Sequence, residues 1–312
     1  MIDSIKLFSK NINQIDIPFL EDKYGFNTIQ SNDGYCKHST QIGNINIKID
    51  NYGFHLEGSA PKYLNNNNIE TLKYNQVSTL ISSLSDAVGF DTSGLIITRI
   101  DITDNISVAN APILYKKNLG NCRYFQRIDY ELNGVQYVNN TRKHTFYDKI
   151  IEQQNKGISI PNQYNNLNLL RYEVSIMKRR KDHLGNSIST LYDLTIPENY
   201  LLLVDKWNYM FDQIQKVSNQ PKLTMPYKSG MHPMEYISLQ GVKENGGMEK
   251  TIADINEGIT LGYYTKRIGK TCIKNLNKYE NRYNILDDEE SKDRKEELID
   301  KFKQKVRENK NI

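Results

Sequence analysis

The chain has 312 residues, 38% of them hydrophobic, and a net charge of +4 with a pI near 8.6, enough apolar content for a sizeable core and a balance that permits nucleic-acid binding without requiring it. It contains no run of about eighteen apolar residues, and its opening MIDSIKLFSKNINQ lacks a basic-then-apolar leader, so a cytoplasmic protein with no membrane partner is expected. Cys36, Cys122 and Cys272 stand far apart and form no CxxC pair, which argues against a disulfide scaffold or a zinc site and for reduced, ordinary cysteines.

In chain order, Ile2 to Phe8 reads as a short strand, and the alternation of Ile45, Ile47 and Ile49 as another. Asn65 to Asn68 form a loop before Leu72, Val77, Leu80, Ile81, Leu84 and Val88, a helical spacing that ends at Gly89. β-Branched sequence follows over Leu95 to Thr103, and segments around Tyr124, Val135, Phe146 and Leu170 to Met177 share that texture. After Gly185 the pattern turns helical. Pro197 opens a helix carrying Leu201, Val204, Trp207, Phe211 and Ile214, and Asp287 to Lys310 is acidic at its start and basic at its end, with Leu298, Phe302 and Val306 as a narrow docking stripe. The expected class is α+β: a mostly antiparallel sheet domain with packed helices over residues 1–185, then a mainly helical region over 186–312 for DNA or partner contacts.

Chemistry concentrates on three strand candidates. In Leu95 to Thr103, strand alternation places Ile96, Ile100 and Ile102 on a buried face and offers Arg99 and Asp101 side by side from the other. Leu170 to Val174 repeats the layout with Arg171 and Glu173, and Phe54-His55-Leu56-Glu57 sets His55 beside Glu57. Taken singly, each Arg-x-acid pair reads as a surface ion pair. Taken together, carboxylates with one histidine suit Mg²⁺ or Mn²⁺, hard ions that take oxygen ligands with an occasional imidazole. If the segment His144 to Lys149 is extended, Tyr147 and Lys149 share a face, and an ammonium then stands near a phenol whose ordinary pKa of about 10 makes it a weak nucleophile. The run Lys178-Arg179-Arg180-Lys181 is either a phosphate contact or a solvated loop.

The front half resembles the gene II replication initiators of filamentous phages and, more distantly, the initiators of small rolling-circle plasmids. MIDSIKL, HLEGSAPKYLNNNN, IITRIDIT, HTFYDKIIE and NLLRYEVSIMKR carry the resemblance in order and at comparable spacing. It implies that Tyr147, in a Tyr-x-Lys-x-x-Glu element with Lys149 and Glu152, attacks one origin strand, leaving a 5′-phosphotyrosine link and a 3′-hydroxyl primer, and later rejoins the ends. His55-Leu56-Glu57 resembles a degenerate His-hydrophobic-His metal motif with Glu57 in place of the second histidine. The resemblance thus implies a metal-dependent nickase; with the strand reading, Glu57, Asp101, His55 and Glu173 are the candidate ligands, and Arg99, Arg171, Lys178, Arg179, Arg180 and Lys181 the candidate DNA contacts. Its partners would be single-stranded and duplex origin DNA, a host helicase and polymerase, and a second copy of the chain. The alternative is a non-enzymatic origin binder that recruits a helicase. Nothing matches the residue set of a tyrosine recombinase, and Gly269-Lys270-Thr271 lacks the upstream glycine of a phosphate-binding loop, so no intrinsic ATPase is expected.

Overall fold

The computed structural model describes residues 1–32, 34–130, 134–217, 232–245, 248–283 and 289–312. In chain order these form β1 (Ile2–Ser9), α1 (Ile17–Tyr24), β2 (Asn27–Gln30), β3 (Cys36–Ile42), β4 (Ile45–Asp50), β5 (Gly53–Ser59), α2 (Ala60–Asn65), α3 (Val77–Val88), β6 (Ile96–Val108), α4 (Pro112–Tyr115), β7 (Leu119–Cys122), β8 (Gln126–Tyr130), β9 (Gly134–Val138), β10 (Arg142–Asp148), α5 (Lys149–Asn155), β11 (Asn168–Ile176), α6 (Arg180–Leu184), α7 (Pro197–Asp212), β12 (Ile214–Lys216), α8 (Pro233–Glu244), α9 (Met248–Thr260), α10 (Lys266–Tyr283) and α11 (Glu289–Lys310). The class is α+β. Ten strands build one antiparallel sheet in the order β2-β3-β4-β5-β1-β6-β11-β10-β9-β8.

The core lies on the sheet face that carries Ile5, Leu56, Ile102, Phe146, Tyr172 and Val174, and apolar stripes of α3, α7 and α11 join the same buried cluster. In α3 the buried Val77, Leu80, Leu84 and Val88 follow the helical period, and Gly89 closes the helix at φ 78, the left-handed conformation that glycine adopts without steric cost. Leu72 stands outside this helix and bridges to Ile2 instead. Tyr124 likewise lies in neither neighbouring strand but in a turn at φ 67.

Two bulges decide which side chains reach the other face. Ile2 pairs with Ile102 and Ile5 with Ile100, so Asp3 and Ser4 oppose the single residue Asp101. Further along, Lys6 pairs with Arg99 and Leu7 with Ile97, leaving Thr98 as the extra residue. The second bulge overturns the expected alternation: Ile97 is buried, whereas Ile96, expected in the core, is 42% exposed.

Two compact units emerge, residues 1–215 with 297–312, and residues 216–296. The boundary expected near 185 is therefore displaced, because α7 belongs to the core of the sheet unit. Trp207, Phe211 and Phe302 pack against Tyr172, with ring centroids of Trp207 and Phe302 4.1 Å apart. The docking stripe of the last helix is real, with Leu298 and Phe302 fully buried; Asp287, expected to begin that helix, lies outside the described residues. Among the described residues no helix is long and apolar enough to cross a membrane.

Candidate active site

Tyr147 is the penultimate residue of β10, paired on one side with Arg171 of β11 and on the other with Gly134 of β9. Gly134 has φ +136, and a Cβ there would overlap the carbonyl oxygen of Phe146, so only glycine lets β9 run this close beside the tyrosine. Asp148 ends the strand by capping α5, its Oδ1 accepting from the amides of Ile150 and Ile151 at 2.9 and 3.0 Å. This cap separates Lys149 from the strand. The two residues expected to share a strand face belong to different elements.

Lys149 turns inward and is fully buried, donating to Glu152 Oε2 at 2.8 Å and Asn68 Oδ1 at 3.1 Å. Burial first, and then the Arg171 charge, lower its pKa to about 8. Burial works to raise Glu152, but hydrogen bonds from Lys149 and Lys156 prevail and hold its carboxyl at about 2. The cation that acts on Tyr147 is Arg171. Burial raises the phenol above its ordinary range, the Arg171 charge opposes this, and Glu173, Asp3 and Glu152 add to the rise. Arg171 was expected to face DNA; it is instead 0% exposed, donating to Asp3 Oδ2 and to the Asn68 carbonyl oxygen, each at 2.7 Å. Such a buried guanidinium acts on its neighbours from beneath.

Asp3 and Asn68 are the residues that reading the sequence missed. Asp3 also accepts from Ser59 Oγ at 2.7 Å, and the bulge in β1 turns it toward Arg171. Asn68 joins Arg171 to Lys149 and Gln153 from within a segment read only as an asparagine-rich loop. A carboxylate inside the strand-like MIDSIKL, where it is the one acidic residue, was the available signal for Asp3; nothing comparable marked Asn68 among its neighbours.

The proposed metal ligands do not all converge. Asp101 is 2% exposed and receives two bonds from Arg99, at 3.0 and 2.7 Å, so this pair exists as an ion pair, its carboxylate buried and its guanidinium partly exposed. Glu173 lies diagonally across the β6–β11 register from Asp101, and Ser175 donates to it at 3.3 Å. Burial raises both carboxyls, and the Asp101 charge raises Glu173 further. Glu57 is drawn to Lys6 at 2.9 Å and Arg99 at 3.6 Å, and His55 stands 3.6 Å from Asp50, where burial lowers its pKa against the pull of that carboxylate. Among the described residues no three of His, Cys, Asp and Glu are grouped as a ready metal cage. What remains is two neighbouring carboxylates that could hold a divalent cation, Asp101 buried and Glu173 half-buried.

Tyr147, Glu152 and Glu173 together border a cavity of about 430 Å³, with Lys143, Lys156 and Tyr130 on the same lining. In the basic run, Lys178, Arg179 and Lys181 are exposed, whereas Arg180 folds inward onto the carbonyl oxygens of Ile97 and Ser189 and ties α6 to the sheet. Against models of known protein families, residues 27–208, more than half of the chain, match the one that describes the N-terminal region of a phage replication-associated protein, the gene II protein. No curated protein matches the chain.

Proposed function

Because the chain belongs to this phage family of replication-associated proteins, the rolling-circle initiators of gene II type, we propose that it nicks one strand of a replication origin with Tyr147 as nucleophile. One observation carries this reading: Tyr147 opens onto a cavity with carboxylates on its wall and a fully buried arginine paired beside it. In the reaction the phenol loses its proton to water, and its oxygen attacks the scissile phosphorus in line. The bond to the 3′ oxygen breaks, that oxygen takes a proton, and the 5′ phosphate stays on Tyr147. The ester linkage is conserved, so reversal by a 3′-hydroxyl rejoins the strand without a nucleotide cofactor.

Arg171 offsets part of the burial that disfavours phenolate, the role that sequence reasoning gave to Lys149. Lys149 and Glu152 brace the start of α5 behind the nucleophile. Asp101 and Glu173 would hold Mg²⁺ or Mn²⁺, which supplies Lewis-acid stabilisation of the phosphate. Arg99, paired with Asp101 and partly exposed, would meet a phosphate. Host helicase and polymerase, and a second copy of the chain, are the partners such an activity calls for.

The test is to incubate the protein with a supercoiled plasmid carrying its origin and Mg²⁺, and to map any peptide left on the DNA. A 5′ adduct on the peptide containing Tyr147 is expected. An adduct on another tyrosine moves the nucleophile. Origin binding with no nick supports the non-enzymatic initiator that recruits a helicase.

A further inference from the structure

The unit formed by residues 216–296 lies beyond the family match and contains a helix unlike the others in the chain. Helix α10 packs on α8 and α9, burying Leu276 against a small cluster with Val242, Met248, Ile252 and Ile255. Its first turn approaches α9 so closely that Gly269 has no room for a side chain beside Ile259, and the link from α9 turns at Gly262, φ +81. One side of α10 is thereby fixed against its neighbours.

The other side is cationic. At 100° per residue, Arg267, Thr271, Lys274 and Lys278 fall in line opposite Gly269 and Leu276, with Lys266 and Lys270 along one flank. All six are exposed, and none of the five cations is in an ion pair among the described residues. Residues 266–279 contain no acidic residue. Solvation alone does not call for this composition: from Asp293 to Lys310, α11 keeps an exposed surface in water with both signs interleaved, as DRKEELIDKFKQKVRENK. A one-signed row instead creates a positive field that attracts a partner of the other sign.

We propose that the exposed face of α10 is a binding surface for duplex DNA, entering the major groove with its cations against the flanking phosphates; the ligand class rests on the replication reading above. From Arg267 to Lys278 the row spans about 17 Å at 1.5 Å per residue, and a groove about 12 Å wide admits a helix with such side chains. A straight, rigid row of this kind suits a duplex, whose phosphates hold fixed positions, better than a flexible single strand. Thr271, itself exposed, lies among the cations with its hydroxyl donating to the Arg267 carbonyl oxygen at 2.9 Å, and would be the residue to meet a base edge, while the lysines make contacts that carry no sequence information.

The test uses the full chain with Lys270→Gln, Lys274→Gln and Lys278→Gln combined. Glutamine keeps the helix propensity of lysine, so α10 should persist, and circular dichroism checks it. Binding to a duplex of about 30 base pairs is measured across a salt series, where each lost phosphate contact flattens the logarithmic slope by about 0.9. The expected result is a slope flatter by about 2 to 3 and affinity at low salt reduced about tenfold or more. A control with Lys301→Gln, Lys303→Gln and Arg307→Gln makes the same charge change on the exposed surface of α11 and should keep most of the slope. Wild-type duplex binding by the α10 variant overturns the proposal. So does an equal loss in the control, which would reduce the effect to net charge, or an equal loss on a single strand. Cleavage of a single-stranded origin oligonucleotide, run in parallel, should be unchanged in the variant. If the wild type fails to cleave it, the nicking reading fails while the duplex measurement still decides the role of α10.

Discussion

The phenol of Tyr147 is held in surroundings that favour its neutral form, so its chemistry depends on what opposes burial, and Arg171 is the group placed to do so. Replacing Tyr147 with Phe removes only the nucleophilic oxygen. Nicking should then fall to background while DNA binding and the melting temperature stay near wild type, and residual covalent adduct would place the nucleophile elsewhere. Glu152 makes a second prediction, in pH. Its folded pKa of about 2 lies below the ordinary 4.5, so the unfolded chain binds the extra proton between these values and stability rises with pH across that window. The ion pair with Lys149 therefore contributes fully above about 4.5 and loses its contribution as pH falls toward about 2. In urea unfolding, the stability difference between wild type and Glu152→Gln should shrink over that interval; a difference constant with pH would mean that the carboxylate is not held by Lys149 and Lys156. At this scale the sequence marked Asp101 and Glu173 as chemically unusual, because charged residues recur at alternate positions in apolar strands, whereas Tyr147 stood out through the family resemblance carried by HTFYDKIIE. It could not show that Arg171 pairs with Asp3 rather than Glu173, since that depends on a bulge in β1, and bulges leave no periodic signature.

Elements with a clean period were legible. The four-residue spacing of Leu298, Phe302 and Val306 identified a docking edge, and the structure shows where it docks: Phe302 stacks on Phe211 at a centroid distance of 3.6 Å and on Trp207 at 4.1 Å. What the pattern could not convey was destination, because a stripe states that a face is buried and not against what. The change of texture after Gly185 suggested a new domain for the same reason, since α7 is helical in sequence whether it covers a sheet or stands apart. The aromatic stack makes the attachment measurable. Trp207→Ala and Phe302→Ala each open a cavity in a core that Tyr172 shares, and each should cost about 3 to 5 kcal/mol in chemical unfolding. A loss below about 1 kcal/mol for Phe302→Ala would show that the end of α11 is not part of this core.

For the whole molecule, the division of the chain determines which truncations are informative. Cutting at residue 185 removes α7 and the end of α11, and with them Tyr200, Leu203, Val204, Trp207, Phe211, Leu298 and Phe302, all buried in the sheet unit. Residues 1–185 should therefore fail to fold cooperatively, and their inactivity would say nothing about catalysis. The informative variant keeps residues 1–215 and 297–312 and replaces 216–296 with a flexible Gly/Ser linker of about 20 residues, which has an end-to-end distance of roughly 25 Å and leaves both segments free to take their places. Tyr147, Arg171, Asp3, Asn68, Asp101 and Glu173 all lie in the retained unit, so this variant should still cleave a single-stranded origin oligonucleotide. It should act poorly on duplex origin, because opening a duplex costs unpairing and bending energy that added contacts must offset, and the cationic row of α10 is gone. Its binding to duplex should also depend less steeply on salt than that of the full chain. Equal nicking of supercoiled origin by both proteins would remove the second unit from duplex recognition. A folded variant unable to cleave the oligonucleotide would instead place part of the catalytic machinery within residues 216–296.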